Sequence, residues 1–303
     1  MIIDFHIHLL PEEIGTDPPA FAAVDPYFGY RLVDTPRRRG GHRWVNYDEA
    51  ARDMAKTGVQ RAVVQGWPMI SYESCRRQNE YTLAAMQAHP DLFIGFCTVN
   101  PNDGINALRE IERCIAAGMK GVGELDPEGQ GFRLDDEDFL RICDLCIELD
   151  VPITLHAGEP LGPRYQGRST VPLQQYVDLA QKKPLLKMVL AHWGGGLPFY
   201  ELLKGLPQCL ANVYYDTAGH TKPGSPKMLA DTVCITGDRK ILFGSNYPLV
   251  FKTAGPEEPD YGSWLAGLQG AIAGQPALHN VFYHNAARLL GLEKGGEEES
   301  CRA

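Results

Sequence analysis

The chain has 303 residues, 44% of them hydrophobic and 22% charged, which is typical of a globular protein. Its net charge of -9 argues against nucleic acid as the main partner, because phosphate binding needs clustered Lys and Arg, and the basic run 37–39 is too short. No apolar run is long enough to cross a membrane, and no signal peptide precedes the first strand. We therefore expect a cytoplasmic protein with reduced cysteines and no membrane partner.

The first predicted strand, residues 2–8, carries two histidines near its C-terminal end. Alternate side chains of a strand point to the same side, so His6 and His8 would present two imidazoles to one point. Neutral imidazole is a common metal ligand, and two of them make half of a zinc or iron site. The alternative, two polar residues on a solvated strand face, stays open on this motif alone.

The segment that follows, residues 10–45, is rich in Pro, Gly and Arg and has no hydrophobic periodicity. An irregular segment of this length is typical of a functional loop or lid. Because it leaves the first strand at the C-terminal end, we expect it to cover a site there and to influence substrate choice. Phe28, Tyr30 and Arg37 are its candidate substrate contacts.

The rest of the chain alternates between predicted strands and helices. The further strands lie at 60–65, 92–98, 119–125, 151–156, 186–192, 212–217 and 240–246. The helices lie between Asn46 and Gly58 and at 74–89, 103–117, 135–150, 173–182, 197–206, 226–234, 262–273 and 278–290. Eight strands, each followed by a helix, predict an α/β fold: a single parallel (β/α)8 TIM barrel over residues 1–294, with a flexible tail at 295–303.

Polar residues at the strand ends would meet at the C-terminal mouth of such a barrel. They are His6, His8, Glu124, His156, His192, Asp216 and Asn246. A random chain would rarely place His or Glu at four different strand ends, so the set predicts a site for a divalent metal. For Asp216 the alternative is a residue that supports its neighbours or caps the following segment.

Four further side chains follow strands two, five, six and eight and would line a pocket for a small-molecule substrate. They are Trp67, Arg164, Trp193 and Tyr247, of which Arg164 would receive a substrate carboxylate. Packing at the rim is an equal alternative for each of them taken singly.

Several motifs together resemble the metal-dependent amidohydrolase superfamily, and within it the amidohydrolase-related branch that includes aminocarboxymuconate semialdehyde decarboxylase. The resemblance runs nearly end to end and is carried by the segments 4–8, 155–158, 191–195, 216–217, 244–248 and 285–290. It implies His6, His8 and His156 as metal ligands, usually to zinc. It implies that His192 binds a second metal or handles the bound water, and that the protein is a homodimer.

Gly123-Glu124-Leu125 is similar to the strand-four Gly-Glu of other superfamily branches, in which the Glu coordinates metal. Lys120 shares the strand face by parity but lies deeper in the barrel, so Glu124 is the better-placed ligand. The alternative is a rim glutamate paired with an arginine.

One residue departs from the family pattern: Asn246 stands where members usually have an Asp that binds the metal and shuttles a proton. Asn can offer a carbonyl oxygen but cannot accept a proton near neutral pH. Three interpretations follow. Another residue serves as base, with His192 first and Glu124 second; or the chemistry needs no strong base; or the protein binds without turnover.

The resulting functional hypothesis is a metal-dependent hydrolase that attacks a small amide, lactone or ester with metal-activated water, with His192 and Asn246 at the catalytic centre. A metal-dependent non-oxidative decarboxylase of a small unsaturated or aromatic acid is the alternative, because both reaction types use the same site. A non-catalytic metal-binding homologue is a third possibility that Asn246 leaves open.

Overall fold

The computed structural model describes residues 1–11, 14, 17–26, 45–158, 169–219, 226–248 and 261–293. Its eight parallel strands pair in chain order, from β1 next to β2 through to β7 next to β8. Their bounds are β1 Ile3–Ile7, β2 Arg61–Val64, β3 Phe93–Cys97, β4 Gly121–Leu125, β5 Ile153–Leu155, β6 Met188–Leu190, β7 Val213–Asp216 and β8 Ile241–Leu242.

Backbone hydrogen bonds join the last strand to the first. The Phe5 N–H donates to the Phe243 carbonyl (2.7 Å), and the Asn246 N–H donates to the His6 carbonyl (2.8 Å). The His8 N–H donates to the Tyr247 carbonyl at 2.7 Å. The sheet therefore closes on itself, and the predicted (β/α)8 barrel is confirmed. None of the described helices is long and apolar enough to span a membrane.

Helices follow the strands around the barrel. The α-helices are Pro18–Val24, Tyr47–Thr57, Tyr72–Ala88, Ile105–Ala116, Pro127–Gln130, Glu137–Glu148, Leu173–Lys182, Leu206–Cys209, Pro226–Thr236, Tyr261–Ala271, Ala277–His279 and Asn285–Leu289. Short 3-10 segments occupy Pro101–Asp103 and His192–Leu202, and a π-helical turn occupies Asn280–His284.

The predicted ends of the helix between Asn46 and Gly58 are confirmed. The Asn46 side chain accepts from the Glu49 N–H, and Gly58 ends that helix with φ 76°, both as predicted. The helix predicted over 103–117 begins later than expected. Asp103 ends a 3-10 turn, and Gly104 precedes the helix Ile105–Ala116. The tail 295–303 lies outside the described residues, as do Phe28, Tyr30 and Arg37 of the predicted lid.

The predicted helix over 197–206 was only partly right: the chain is 3-10 helical up to Leu202, and a short α-helix begins at Leu206. After β6 the chain makes a left-handed turn, in which every residue from His192 to Gly196 has positive φ. A Cβ on Gly195 would lie 2.7 Å from the Gly158 carbonyl oxygen, so only glycine fits there. This left-handed turn fixes the direction in which His192 leaves the strand.

Apolar side chains fill the barrel below the strand ends. Phe5 and Phe96 meet edge to face at 5.5 Å between ring centroids, and both are fully buried. Val189 and Leu242 belong to the same cluster, which Ala286 and Ala287 of the last helix also join. The barrel is therefore packed rather than hollow below the strand ends.

Candidate metal centre

Five ionisable side chains meet at the mouth of the barrel. They are His6, His8, Glu124, His156 and His192, and each is at most 3% exposed. They form two groups of potential ligands, His6 with His8 and Glu124, and Glu124 with His156 and His192. The convergence predicted from the strand ends is thus present in the fold.

Glu124 lies at the centre of the cluster because each of its carboxylate oxygens faces two imidazoles. Its Oε2 lies 3.4 Å from His6 Nε2 and 3.5 Å from His8 Nε2. Its Oε1 lies 2.8 Å from His156 Nδ1 and 3.0 Å from His192 Nε2. The alternative of a rim glutamate paired with an arginine is therefore wrong.

The partners of His6 and His8 fix which ring nitrogen carries the proton. His6 Nδ1 lies 2.7 Å from Asp216 Oδ2, and His8 Nδ1 lies 3.2 Å from the Gln65 carbonyl oxygen. Carboxylate and carbonyl oxygens only accept, so both Nδ1 atoms donate and both Nε2 atoms present lone pairs. The two Nε2 atoms are 3.1 Å apart, and they need a cation or one shared proton between them. This donor set fits a divalent metal ion.

The charges in the cluster reinforce this arrangement. Burial would lower the pKa of His6, but the charges of Asp216 and Glu124 outweigh it and raise that pKa to about 10. Burial would raise the pKa of Glu124, but positive charge on His192, His156 and His6 holds it well below its usual range. Burial lowers the pKa of His8. The mouth of the barrel thus holds two buried carboxylates, Asp216 and Glu124, whose charges favour positively charged groups next to them.

Metal uptake should weaken as the pH falls. With its pKa raised to about 10, His6 carries a second proton in the metal-free protein at neutral pH, and an ion must displace it. One displaced proton costs about tenfold in affinity per pH unit below that pKa. We expect the dissociation constant to rise about 100-fold between pH 8 and pH 6. Competition with a coloured chelator, corrected for its own protonation, measures this; a constant value would contradict the proton assignment.

The backbone that positions Glu124 is unusual. The Glu124 N–H donates to the Gly66 carbonyl (3.0 Å), and the Gly66 N–H donates to the Gly123 carbonyl (2.7 Å). The end of β4 is therefore tied to the end of β2. Gly123 has φ 134°, and a Cβ there would lie 2.6 Å from the Thr154 carbonyl oxygen. Glycine at this position lets the Glu124 side chain enter the mouth.

His192 and Asn246 lie at the ends of β6 and β8, where the sequence placed them. His192 Nδ1 lies 3.3 Å from the Ala218 carbonyl oxygen, and its Nε2 faces Glu124. Asn246 is 2% exposed, has φ 60°, and donates from Nδ2 to the Gly219 carbonyl at 2.7 Å. Both side chains are therefore held by backbone carbonyls that follow β7.

The contacts of Asp216 decide whether it faces the ligand position or supports its neighbours. Besides His6, it accepts the backbone N–H groups of His192 (2.9 Å) and Ala218 (3.0 Å) through Oδ1. It thus supports its neighbours rather than facing the shared ligand position.

The predicted substrate contacts occupy different surroundings. The Trp67 ring meets the His8 ring edge to face at 5.0 Å, next to the site. Trp193 is 4% exposed and packs in the main core cluster. The Tyr247 hydroxyl donates to Asp53 Oδ2 (2.8 Å) on helix Tyr47–Thr57, outside the barrel, and not into the predicted pocket. Arg164 lies outside the described residues.

Three supporting groups had no assigned role in the sequence. The carbonyls of Gln65 and Ala218 are backbone atoms, which leave no mark in a sequence. Asp4 accepts the N–H groups of His6 and Ser245, each at 3.0 Å, and the Tyr261 hydroxyl at 2.7 Å. In the sequence, the position of Asp4 two residues before His6 was the signal that could have identified it as a supporting residue.

The sequence matches the amidohydrolase family over residues 3–292, and the chain therefore belongs to this family. It is 25% identical over 218 residues to a gamma-resorcylate decarboxylase of a Polaromonas strain, covering 58% of this chain and 66% of the relative. It is 23% identical over 257 residues to 2-amino-3-carboxymuconate-6-semialdehyde decarboxylase of Dictyostelium discoideum, covering 75% and 68%. The chain thus spans about two thirds of the length of these curated relatives.

A solved structure shares the fold. It is a 5-carboxyvanillate decarboxylase from Novosphingobium aromaticivorans, complexed with manganese and 4-hydroxy-3-methoxy-5-nitrobenzoic acid. The TM-score is 0.72 at 19% identity, with 96% of each chain covered. That relative holds manganese, which agrees with a divalent-metal site but does not support the expectation of zinc.

Proposed function

We propose that this protein is a metal-dependent, non-oxidative decarboxylase of a small aromatic or unsaturated carboxylic acid. The observation that carries the proposal is the buried cluster of four histidines around Glu124, combined with Asn246 in place of a proton-accepting side chain. The relatives described above are decarboxylases by name, which favours this reaction over the hydrolysis that the motifs led us to expect.

Asn246 bears differently on the two reactions. Hydrolysis by activated water needs a group that takes a proton from that water; a carboxamide cannot do so, and another residue such as His192 would have to serve. Decarboxylation instead needs a proton donor. The bond to the carboxyl group breaks, carbon dioxide leaves, and the electron pair left on the substrate carbon takes up a proton. Asn246 is compatible with this second requirement because it only has to occupy its place beside the ligands.

A divalent ion bound by His6, His8 and Glu124 would hold the substrate's oxygens and offset the charge that develops as the bond breaks. Glu124 stays ionised because the neighbouring histidines hold its pKa well below its usual range, so it does not supply the proton. We assign that role to His192, whose Nε2 can hold a proton against Glu124 Oε1 at 3.0 Å. Trp67 beside His8 would form one wall for an aromatic substrate.

The proposal is tested with manganese-loaded protein and a panel of small acids, esters, lactones and amides. The panel should include benzoic acids with and without a neighbouring hydroxyl, and an unsaturated dicarboxylic acid. We expect carbon dioxide release from at least one acid and no hydrolysis of the neutral compounds. Acid production from an ester, lactone or amide without carbon dioxide release would replace this proposal with the hydrolase.

Asn246→Asp separates the two reactions further. In a decarboxylase the change should not raise the reaction rate. It also places a carboxylate oxygen against the Gly219 carbonyl, to which Asn246 donates a hydrogen bond in the wild type. Loss of that hydrogen bond should cost about 1–3 kcal/mol of stability. In a hydrolase that lacks another base, a restored proton acceptor should raise the rate by about 100-fold or more.

Melting curves and rates on the same panel measure both effects. Asn212→Asp is the matched control, since Asn212 also donates to a backbone carbonyl, that of Pro184, but at an exposed position. A large rate gain on an ester or lactone in Asn246→Asp alone would contradict the decarboxylase.

A further inference from the structure

Asp216 reaches both halves of the site with one buried carboxylate. It is fully buried, and Oδ2 lies 2.7 Å from His6 Nδ1. Its other oxygen, Oδ1, accepts the N–H of His192 at 2.9 Å and the N–H of Ala218 at 3.0 Å. The two oxygens therefore act on different residues: one on a metal ligand, the other on the turn that carries the proposed proton donor.

We propose that Asp216 is a positioning residue that directs the His6 lone pair toward the metal and separately fixes His192 at its place beside Glu124. The second half rests on the proposed function, whereas the first half needs only the metal site. Asp216 itself touches neither substrate nor metal in this assignment.

The first half follows from donor and acceptor chemistry. As an acceptor, Asp216 Oδ2 requires the proton of the neutral His6 ring to lie on Nδ1, which leaves the lone pair on Nε2, the atom next to His8 and Glu124. If a donor replaced Oδ2, the ring would shift its proton to Nε2 and lose its ligand atom. A carboxylate partner also makes an imidazole a stronger ligand.

The second half follows from the backbone. His192 has φ 56°, a conformation that residues other than glycine rarely adopt, so this turn needs support from its surroundings. Oδ1 holds the His192 N–H directly. It also holds the N–H of Ala218, whose carbonyl oxygen lies 3.3 Å from His192 Nδ1. The ring and the backbone of His192 are thus both tied to one oxygen atom.

Two substitutions separate these roles. Asp216→Asn can keep Oδ1 on the two N–H groups, because the opposite orientation would set its NH2 against two donors; its NH2 then faces His6 Nδ1 as a donor. We expect metal affinity to fall about 10- to 100-fold, and turnover to recover when manganese is saturating. Asp216→Ala removes both contacts, so affinity falls and turnover stays low even at saturating manganese.

The readouts are the dissociation constant for manganese, measured without substrate, and turnover at saturating manganese on the acid that the panel identifies. Asp53→Asn is the control, since Asp53 accepts from Tyr247 and Lys56 away from the site; it should change neither readout. Asp216→Asn with wild-type metal affinity would overturn the first half. Recovery of Asp216→Ala at saturating manganese would overturn the second.

If the variants fail to fold, a measurement on the wild-type protein tests the first half of the proposal instead. Histidine labelled with 15N in zinc-loaded protein should show a His6 proton on Nδ1, protected from exchange; its absence would overturn the first half. If no acid on the panel is decarboxylated, the proposed function and the second half fail, while the metal-affinity result still decides the first half.

Discussion

Glu124→Gln is expected to remove metal binding and activity together. The substitution takes away the one carboxylate that faces four imidazoles, and it places an NH2 group against two of them. Losing a residue that merely supports a metal ligand costs about 10–100-fold in affinity, and losing this central ligand should cost more. Metal content after gel filtration, together with carbon dioxide release, measures the result.

Glu201→Gln provides the matched control. Glu201 is also a buried glutamate, but its partners are Lys240 Nζ and the Tyr215 hydroxyl, each at 2.6 Å from Oε1. Breaking this buried pair should destabilise the fold by up to about 3–5 kcal/mol while the folded protein keeps its metal. Equal metal content in the Glu124→Gln variant and the wild type would mean that the ion is held elsewhere.

Gly123→Ala is expected to damage both the fold and the site. The residue has φ 134°, and the new Cβ would lie 2.6 Å from the Thr154 carbonyl oxygen and 2.8 Å from the Thr154 Cβ. Neither atom can move without shifting β5, so we expect a loss of about 3 kcal/mol or more. Any protein that still folds should bind metal weakly, because the next residue is Glu124.

Gly131→Ala isolates the backbone part of this effect. Gly131 has φ 73°, and a Cβ there would meet nothing within 4 Å, so only the left-handed conformation is penalised, by about 1–2 kcal/mol. Thermal or denaturant unfolding compares the two variants. Similar destabilisation of both would show that the contact with Thr154 is unimportant.

The convergence of the candidate ligands could be predicted because it follows from strand geometry. Alternation places His6 and His8 on one side, and parallel strands bring Glu124, His156 and His192 to the same edge. Tyr247 was assigned to the pocket because it follows β8, but its hydroxyl meets Asp53 on helix Tyr47–Thr57 instead.

The features that escaped prediction depend on contacts between distant parts of the chain. The left-handed turn at 192–196 was not predicted, because it depends on Gly195 passing close to the Gly158 carbonyl. The double contact of Asp216 with His6 and His192 joins three strands. A hydrophobic pattern reports which side of an element is buried, but not which backbone groups a side chain will meet there.

Removal and return of the metal shows whether decarboxylation depends on the ion. Protein purified without chelator is analysed by mass spectrometry for divalent metals, stripped, and then reloaded with manganese. We expect the stripped protein to release no carbon dioxide from the acid that the panel identifies, and the manganese-loaded protein to regain full release. Undiminished release of carbon dioxide by protein shown to be free of metal would contradict metal-dependent decarboxylation.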